Sequence, residues 1–446
     1  MTSKWQGNGV PLNLERKVLL LSNHGNRVIR SIVVILVGIL FAFNPAAFAQ
    51  QKTPIAIGSI WDLVGFGGEI GQCAYRGAQL AVELANNAGG IEGRKIEYIN
   101  IDGQSELDVI AGAAKRLTQE LNVVAGVGSE DDSLTSASGP VFQAEKCVFL
   151  TGTATTPTQP NIGEYIFMPA YGDHFQGTAV AKFIVDELGW RKVAVLWDAG
   201  SAYSTYLSNV FMAAFKYYTG DPNAVVVSES YMTGDLVFTA QLTRIKASED
   251  ELDGIVTLPP EPQDAPVYAK QARNLGIKLP FFFTDGADDI SLVEVGGSAV
   301  EGAYVSTQFA GDYPITENGK EFVKNYTAKY KEEPGCFEAV GYDSIRLVLE
   351  SIETIIEEQG EAKWEAMTLA QKRNSIRDML QDKPMFETTT LPISYPDPET
   401  AIYPRCPDKP VVFKKVQDGR LRYVAHMESS AFSGDLEAIL KTMGIK

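Results

Sequence analysis

The sequence predicts a two-lobed α/β protein, each lobe a parallel sheet flanked by helices, with a ligand cleft between the lobes. Three observations carry this reading. After Thr53, short β-rich runs alternate strictly with helical segments, and such βα units form parallel sheets covered on both faces. The same grammar restarts after a break at residues 169–173. The 446 residues also give room for two or three packed units, at roughly 100–200 residues each.

In the first half, residues 55–60 read as a strand, followed by a Gly-rich loop and an amphipathic helix over 74–87. Ala88-Gly89-Gly90 stops that helix, since glycine is free to take positive φ. Strand 95–102, helix 108–121, strand 123–127, helix 135–144 and strand 147–151 follow. In the second half, helix 175–188 leads to strand 192–197, helix 203–218 and strand 225–231. Helix 238–247, strand 253–258, helix 265–275 and strand 279–284 continue the pattern, and residues 302–306 extend the second sheet. Helices are then expected over 318–330, 339–358 and 368–381. A Thr- and Pro-rich tail precedes two strands, 411–417 and 420–425, which flank Asp418-Gly419 as a hairpin turn. In open parallel sheets ligands bind beyond the carboxyl ends of strands, so two such lobes would enclose a cleft closed by a hinge. The hinge is expected at residues 169–172, 308–312 and 408–411.

Charge narrows the partners. The chain carries 39 Lys and Arg against 56 Asp and Glu, a net charge of −17, and the basic residues are over-represented in the first 49 positions. The remainder is more acidic still, which excludes phosphate backbones and anionic lipid as natural partners. Those first 49 residues read as a signal peptide. Arg27 and Arg30 precede an apolar run at 32–43, and Ala47-Phe48-Ala49 supplies a small-x-small cleavage pattern. The run is too short for a bilayer, which needs about 20 residues. Gln50 would follow the cut, so no lipid-bearing cysteine is expected, and Arg27-Val28-Ile29-Arg30 is no twin-arginine pair. The mature protein is expected in the periplasm, where disulfides are permitted. Four cysteines, Cys73, Cys147, Cys336 and Cys406, allow three pairings. Cys147, in the run CVFL, reads as a buried small hydrophobe; Cys336 and Cys406, both in Pro-containing loops, are the favoured pair.

Catalytic signals are sparse. Residues 65–71 (GFGGEIG), with Asp102 at a strand end, imitate a dinucleotide fingerprint, but the spacing is GxGxxxG. A flexible cleft-lining loop is the plainer reading. Past the leader the chain holds only His174 and His426; His174 is expected to flank its helix rather than act as a base. Glu130-Asp131-Asp132 lacks the alternating spacing of a calcium loop and reads as a helix cap that also ends a strand, hence near the cleft. No catalytic residue, metal or cofactor is expected.

The stretch Gly77-Ala78…Ala81-Val82…Asn86-Asn87-Ala88-Gly89-Gly90-Ile91-Glu92-Gly93-Arg94-Lys95-Ile96 resembles the helix-to-turn segment of periplasmic binding proteins of the leucine/isoleucine/valine type. Thr153-Ala154-Thr155-Thr156-Pro157, Asp198…Tyr203, Gln271-Ala272-Arg273-Asn274-Leu275-Gly276, Asp285-Gly286 and Tyr342-Asp343 match in order, from Thr53 to about Val424. The resemblance implies a type I periplasmic binding protein that serves an ABC importer. Lobe 1 would comprise residues 53–170 plus 310–407, and lobe 2 residues 173–307 plus 408–446. It implies ligand contacts from Thr153 and Thr155 in the first lobe, from Tyr203 on closure, and from Asp285 as the partner of a ligand ammonium. Phe337 falls near a position that forms an apolar wall.

Two positions depart from the family pattern. Asp132, with Ser133 beside it, stands where amino-acid binders place a serine that donates to the ligand carboxylate. Glu261 stands where an aromatic is common. With Asp285, three carboxylates would face one cleft and repel a ligand carboxylate. A cationic or neutral polar solute, an amide, amine or guanidino compound, therefore fits as well as a branched-chain amino acid. The expected partners are a small-molecule ligand and ABC permease subunits, with no nucleic acid, and the protein is expected to be a monomer. The alternatives are an exported oxidoreductase using the loop at 65–71, or a sensory ligand-binding protein.

Overall fold

In the computed structural model, which describes residues 52–445, the first sheet is built from β1 (Ile55–Ile60), β2 (Ile96–Asn100), β3 (Ala125–Gly128), β4 (Val148–Leu150) and β5 (Ile166–Phe167). Their order is β2-β1-β3-β4-β5, and every pairing is parallel. The signal peptide expected over residues 1–49 lies outside the described residues. Successive side chains of a strand alternate between faces, and both faces here are covered. Ile55 and Ile57 enter one core, Ala56 and Ile60 the other, which is why β1 reads as a continuous apolar run.

Helices α1 (Gly68–Asn87), α2 (Leu107–Lys115) and α3 (Asp132–Ala144) make the crossovers. The helix expected over 108–121 is interrupted: α2 passes into a π-turn at Arg116–Glu120. The carbonyls released around it find a donor in buried Arg373, whose Nη2 reaches Thr118 O at 2.8 Å and whose Nε reaches Val123 O at 3.0 Å.

The second sheet holds β6 (Val193–Asp198), β7 (Val225–Tyr231), β8 (Gly254–Leu258), β9 (Phe281–Phe283) and β10 (Tyr304–Thr307), followed by β11 (Val411–Gln417) and β12 (Arg420–Met427). The order is β12-β11-β10-β9-β8-β6-β7. Pairings from β7 to β10 are parallel, while β11 and β12 add an antiparallel edge. Asp418 and Gly419 turn that hairpin with φ of 51° and 68°, the paired positive values a type I′ turn requires. Helices α4 (Asp173–Asp186), α5 (Ala202–Thr219), α6 (Thr239–Ala247), α7 (Asp264–Asn274) and α8 (Ile290–Gly296) belong to this half.

The chain then returns. Helices α9 (Glu317–Tyr330), α10 (Cys336–Gln359), α11 (Glu361–Ala366) and α12 (Leu369–Asp382) follow β10, and Ile345, Val348, Ile352, Trp364 and Ile376 from them enter the core of the first sheet. The last helix, α13 (Ser433–Thr442), places Leu436, Ile439 and Leu440 in the core of the second. The chain thus passes between the two sheets after Phe167, after Thr307 and before Val411, giving two α/β lobes.

The cysteine pairing expected from sequence is not formed. All four thiols are free and buried. Cys336 opens α10 among Phe309, Phe322 and Phe337, whereas Cys406 lies in the core containing Tyr403 and Phe432. Each occupies its own apolar cluster, so their loops do not bring the sulfurs together. Cys147 is buried in the core of the first lobe, as a small hydrophobe.

Candidate functional site

A small cavity lies where the carboxyl ends of both sheets face each other. Every loop that lines it follows a parallel strand, apart from one helix end. Ile70 comes from the first turn of α1 after β1, Glu130, Asp131 and Asp132 follow β3, and Thr153, Ala154 and Thr155 follow β4. From the second lobe come Tyr203 in α5 after β6, Pro260 after β8, and Asp285 with Gly286 after β9; Phe337 is in the first turn of α10. This is the position where open parallel sheets bind ligands.

Asp285 is held in place by its own lobe. Its Oδ1 accepts from the Tyr203 hydroxyl at 2.6 Å and from Gln176 Nε2 at 2.7 Å. Gln176 also donates to Ser306 Oγ at 3.1 Å, and the Tyr203 oxygen lies 2.8 Å from Thr284 Oγ1. Both donors converge on one oxygen and leave Oδ2 for the cavity. Burial raises the Asp285 carboxyl above its ordinary range, while the bonds from Tyr203 and Gln176 hold it down. Tyr203 therefore meets the cavity chiefly as the group that orients Asp285.

The first-lobe wall is tied down by its backbone. Thr153 N donates to Ser129 O, and Thr153 Oγ1 donates to Glu130 O at 3.2 Å. Asp132 lines the cavity but its oxygens are occupied elsewhere. Oδ2 accepts from Thr156 Oγ1 at 2.5 Å, and Oδ1 accepts from Gln159 Nε2 at 2.9 Å and Thr156 N at 3.2 Å. Burial, then repulsion from Asp131, pushes its carboxyl up to about 7 despite these bonds. Asp131 is the N-cap of α3 and accepts from Ser133 N at 2.8 Å.

Two candidates stand off the wall. Ser133 is exposed on the first turn of α3, and its hydroxyl donates to Asp131. Ser133 is not among the residues that line the cavity. Glu261 is buried but behind the lining, next to Pro260; its Oε2 has no hydrogen-bond partner. Burial, followed by the charges of Asp131, Asp264, Glu130 and Glu69, raises its carboxyl far above the ordinary range.

Glu130 belongs to the run that the sequence reads as a helix cap near the cleft, without singling it out as a ligand contact. It is buried at 6% exposure, its Oε1 accepts from Asp62 N at 2.7 Å, and its Oε2 has no partner. The signal that could have found it is its place two residues beyond β3. The glycines at 65–71 serve this contact. A Cβ on Gly71 would fall 2.0 Å from Asp62 O and 2.4 Å from Glu130 Oε1, so only glycine lets α1 start this close. A phosphate there would meet carboxylates, and Asp102, whose Oδ1 accepts from Leu63 N and Gln104 N, braces its own loop. His174 packs between Phe175 and Tyr403, and burial lowers it to about 3, so it is neutral at physiological pH. Among the described residues no group of three His, Cys, Asp or Glu side chains is arranged to hold a metal ion.

Residues 54–393 match the family model described as periplasmic binding protein. An amino acid binding protein of Pseudomonas aeruginosa is 28% identical over 291 residues, 65% of this chain and 74% of that relative. The crystal structure of leucine binding protein LivK from Thermotoga maritima superposes with a TM-score of 0.74 at 26% identity, covering 84% of this chain and 99% of the other. LivJ, a branched-chain amino acid transporter substrate binding protein from Streptococcus pneumoniae in complex with isoleucine, gives 0.73 at 26% identity, with the same coverage.

Proposed function

The chain belongs to the periplasmic binding protein family, and on that premise we propose that it captures a small polar solute between its lobes and delivers it to the membrane subunits of an ABC importer. Its role is that of a solute-binding protein for small ligands. The observation that supports the site most directly is the buried Asp285 carboxylate, oriented on one oxygen by Tyr203 and Gln176 and open on the other. A desolvated ligand cation needs such a partner, and charge-assisted hydrogen bonds are the strong ones. In this reading Asp285 pairs with a ligand amine, Thr153 and Thr155 offer carbonyl and hydroxyl groups, and Ile70 with Phe337 forms the apolar wall. Asp132 shapes the first-lobe wall with both oxygens engaged by Thr156 and Gln159, and Glu261 is buried next to Pro260.

The lobes are assigned as residues 53–170 plus 310–407 and residues 173–307 plus 408–446, although Met168, Tyr403 and Cys406 near these bounds pack into the core of the second sheet. The protein works as a monomer in the periplasm after loss of residues 1–49, and catalyses no reaction. Intact-mass analysis of the exported protein checks the leader: a product starting at Gln50 is expected, and retention of the first 49 residues overturns it.

A thermal-shift screen over amino acids, amides, amines and guanidino compounds tests the site. A true ligand at a hundredfold excess over Kd stabilises by about 2.7 kcal/mol. Asp285→Asn keeps the shape and removes the charge, so the shift should vanish at the same concentration. A hit whose shift survives Asp285→Asn unchanged places the solute elsewhere and overturns this reading.

A further inference from the structure

The charge around the cavity is one-sided. Among the described residues that line it, Glu130, Asp131, Asp132 and Asp285 are acidic and none is basic. The nearby cations are committed to other acids: Arg76 to Glu332 and Glu338, and Lys414 to Asp288. The acids also fall at two separate poles. Asp285 belongs to the second lobe and is oriented by Tyr203 and Gln176. Glu130 belongs to the first lobe and presents an Oε2 that no protein group satisfies, although the side chain is more than nine-tenths buried. Glu261 repeats the pattern behind the wall, with Oε2 equally unpartnered at 4% exposure. Buried acceptors are normally satisfied, so an unpaired carboxylate oxygen on a residue that lines the cavity marks where a donor is missing.

From these two poles we infer that the solute is a short dication without a carboxylate, a diamine or an amino-guanidine, with one cationic end on Asp285 and the other on Glu130. The inference rests on the reading of this cavity as the solute site. Both ends of such a ligand are donors only, which suits Glu130 Oε2 and the free oxygen of Asp285. A ligand carboxylate on the first-lobe wall would instead lie against Glu130 and Asp131, and like-charge contact of this kind is how binding sites reject wrong partners.

Proton linkage follows. Burial, then the charge of Asp62, raises Glu130 far above its ordinary range, with Asp131 adding to it. Glu261 is raised by burial and by Asp131, Asp264, Glu130 and Glu69; Asp285 is raised by burial and by Asp288. Each of these acids therefore takes up a proton more readily than a free carboxyl. A dication displaces such protons, so its affinity rises with pH.

Calorimetric titration with putrescine, cadaverine and agmatine, against butylamine and leucine, tests the inference. A diamine or agmatine is expected to bind at least about tenfold more tightly than butylamine, and more tightly at pH 8 than at pH 6. Glu130→Gln, which keeps the acceptor for Asp62 N, should weaken the dication roughly 30-fold and collapse its preference over butylamine. Glu261→Gln should reduce that preference in the same direction. Tight leucine binding with no response to the diamines overturns the dication while leaving solute capture intact. A preference for diamines that survives both Gln variants overturns the assignment of the second pole. Calcium chloride producing the shift that diamines do not overturns it as well. A hit indifferent to Asp285→Asn overturns the cavity reading itself.

Discussion

Asp132 shows why position on a cavity wall and contact with a ligand are separate properties. Its carboxylate faces Thr156 and Gln159, so its task is to hold the loop after β4 where Thr153 and Thr155 can line the site. Asp132→Ala leaves the buried Thr156 N–H without an acceptor and its hydroxyl with only the longer bond to Asp173 Oδ2, at a cost of about 1–3 kcal/mol. The melting temperature of the ligand-free variant should fall accordingly, and an unchanged value would show that the clamp is dispensable. Titration is legible at the same scale. Burial raises Asp62 from 3.8 to about 6 and Asp132 to about 7. For an acid whose folded value is raised, the native state holds a proton that the unfolded chain has released. Its contribution to stability is greatest below about pH 4 and falls as pH rises to 6 or 7. His174 runs the other way, since burial lowers it to about 3, and its contribution is complete above about pH 6.5 and is lost on acidification. Asp62→Asn should therefore flatten the loss of stability between about pH 4 and pH 6 in thermal melts without ligand; an unaltered slope would mean Asp62 titrates normally. Of the candidate residues, Asp132, Thr153, Thr155, Tyr203, Asp285 and Phe337 reach the wall; Thr153, Thr155, Tyr203 and Asp285 were legible because they follow strands in an order that matches the family, whereas Asp132 stood out as a departure from it and Phe337 fell only near a matching position. Glu130 was legible as part of a cap near the cleft but not as a separate contact, because its environment depends on how closely Gly71 lets α1 approach. Ala154, Pro260 and Gly286 carry no side-chain signal at all.

Among the elements, the pair α1 and α10 sets how tightly the first lobe is built. A Cβ on Gly77 would sit 1.9 Å from Glu338 O, and one on Gly341 would sit 2.0 Å from Ala74 O. Each glycine admits the backbone of the opposite helix, so neither contact can relax by a rotamer change. Overpacking a core costs about 1–3 kcal/mol, and here the obstruction is main chain. Gly77→Ala and Gly341→Ala should each lower stability by at least that amount in denaturant titration; a loss below about 0.5 kcal/mol would show that the helices slide apart freely. Most strands were legible because their apolar runs are short, β-branched and bounded by turn residues: 225–231 and 411–417 agree end to end with β7 and β11. The failures have physical causes. β5 is two residues long, below any periodicity signal, and exists because it pairs with β4. The first helix starts at Gly68, six residues before the expected start, since tertiary packing overrides the low helix propensity of glycine. The short helices α8 and α11 and the terminal helix α13 were not distinguished from the loops around them.

At the scale of the whole molecule, the cavity cannot be filled without motion. Its walls come from both lobes, and Ile70, Glu130, Thr155, Asp285 and Phe337 are all buried. On the proposed reading of this cavity, a solute enters when the lobes part. The three crossings between the sheets are cross-tied, which limits the form that parting can take. Gln308 Oε1 accepts from Tyr171 N at 3.2 Å, Thr390 Oγ1 donates to Gln308 O at 2.9 Å, and Lys409 Nζ donates to Pro169 O at 3.2 Å. Lys409 is also 3.7 Å from the buried carboxylate of Asp343 in α10. The tail leading to β11 adds to this edge, with Tyr395 OH donating to Met168 O and Arg405 Nη2 donating to Pro160 O. Segments bound to one another in this way act as a pivot, so the lobes should rotate about that edge while each keeps its own core. Small-angle scattering should therefore give a smaller radius of gyration with saturating ligand than without, at unchanged far-UV circular dichroism. The ligand concentration must be one that shifts the melting temperature, so that occupancy is assured. Equal radii under that condition would mean the lobes do not move on binding, and the crossings would then be rigid struts rather than a hinge.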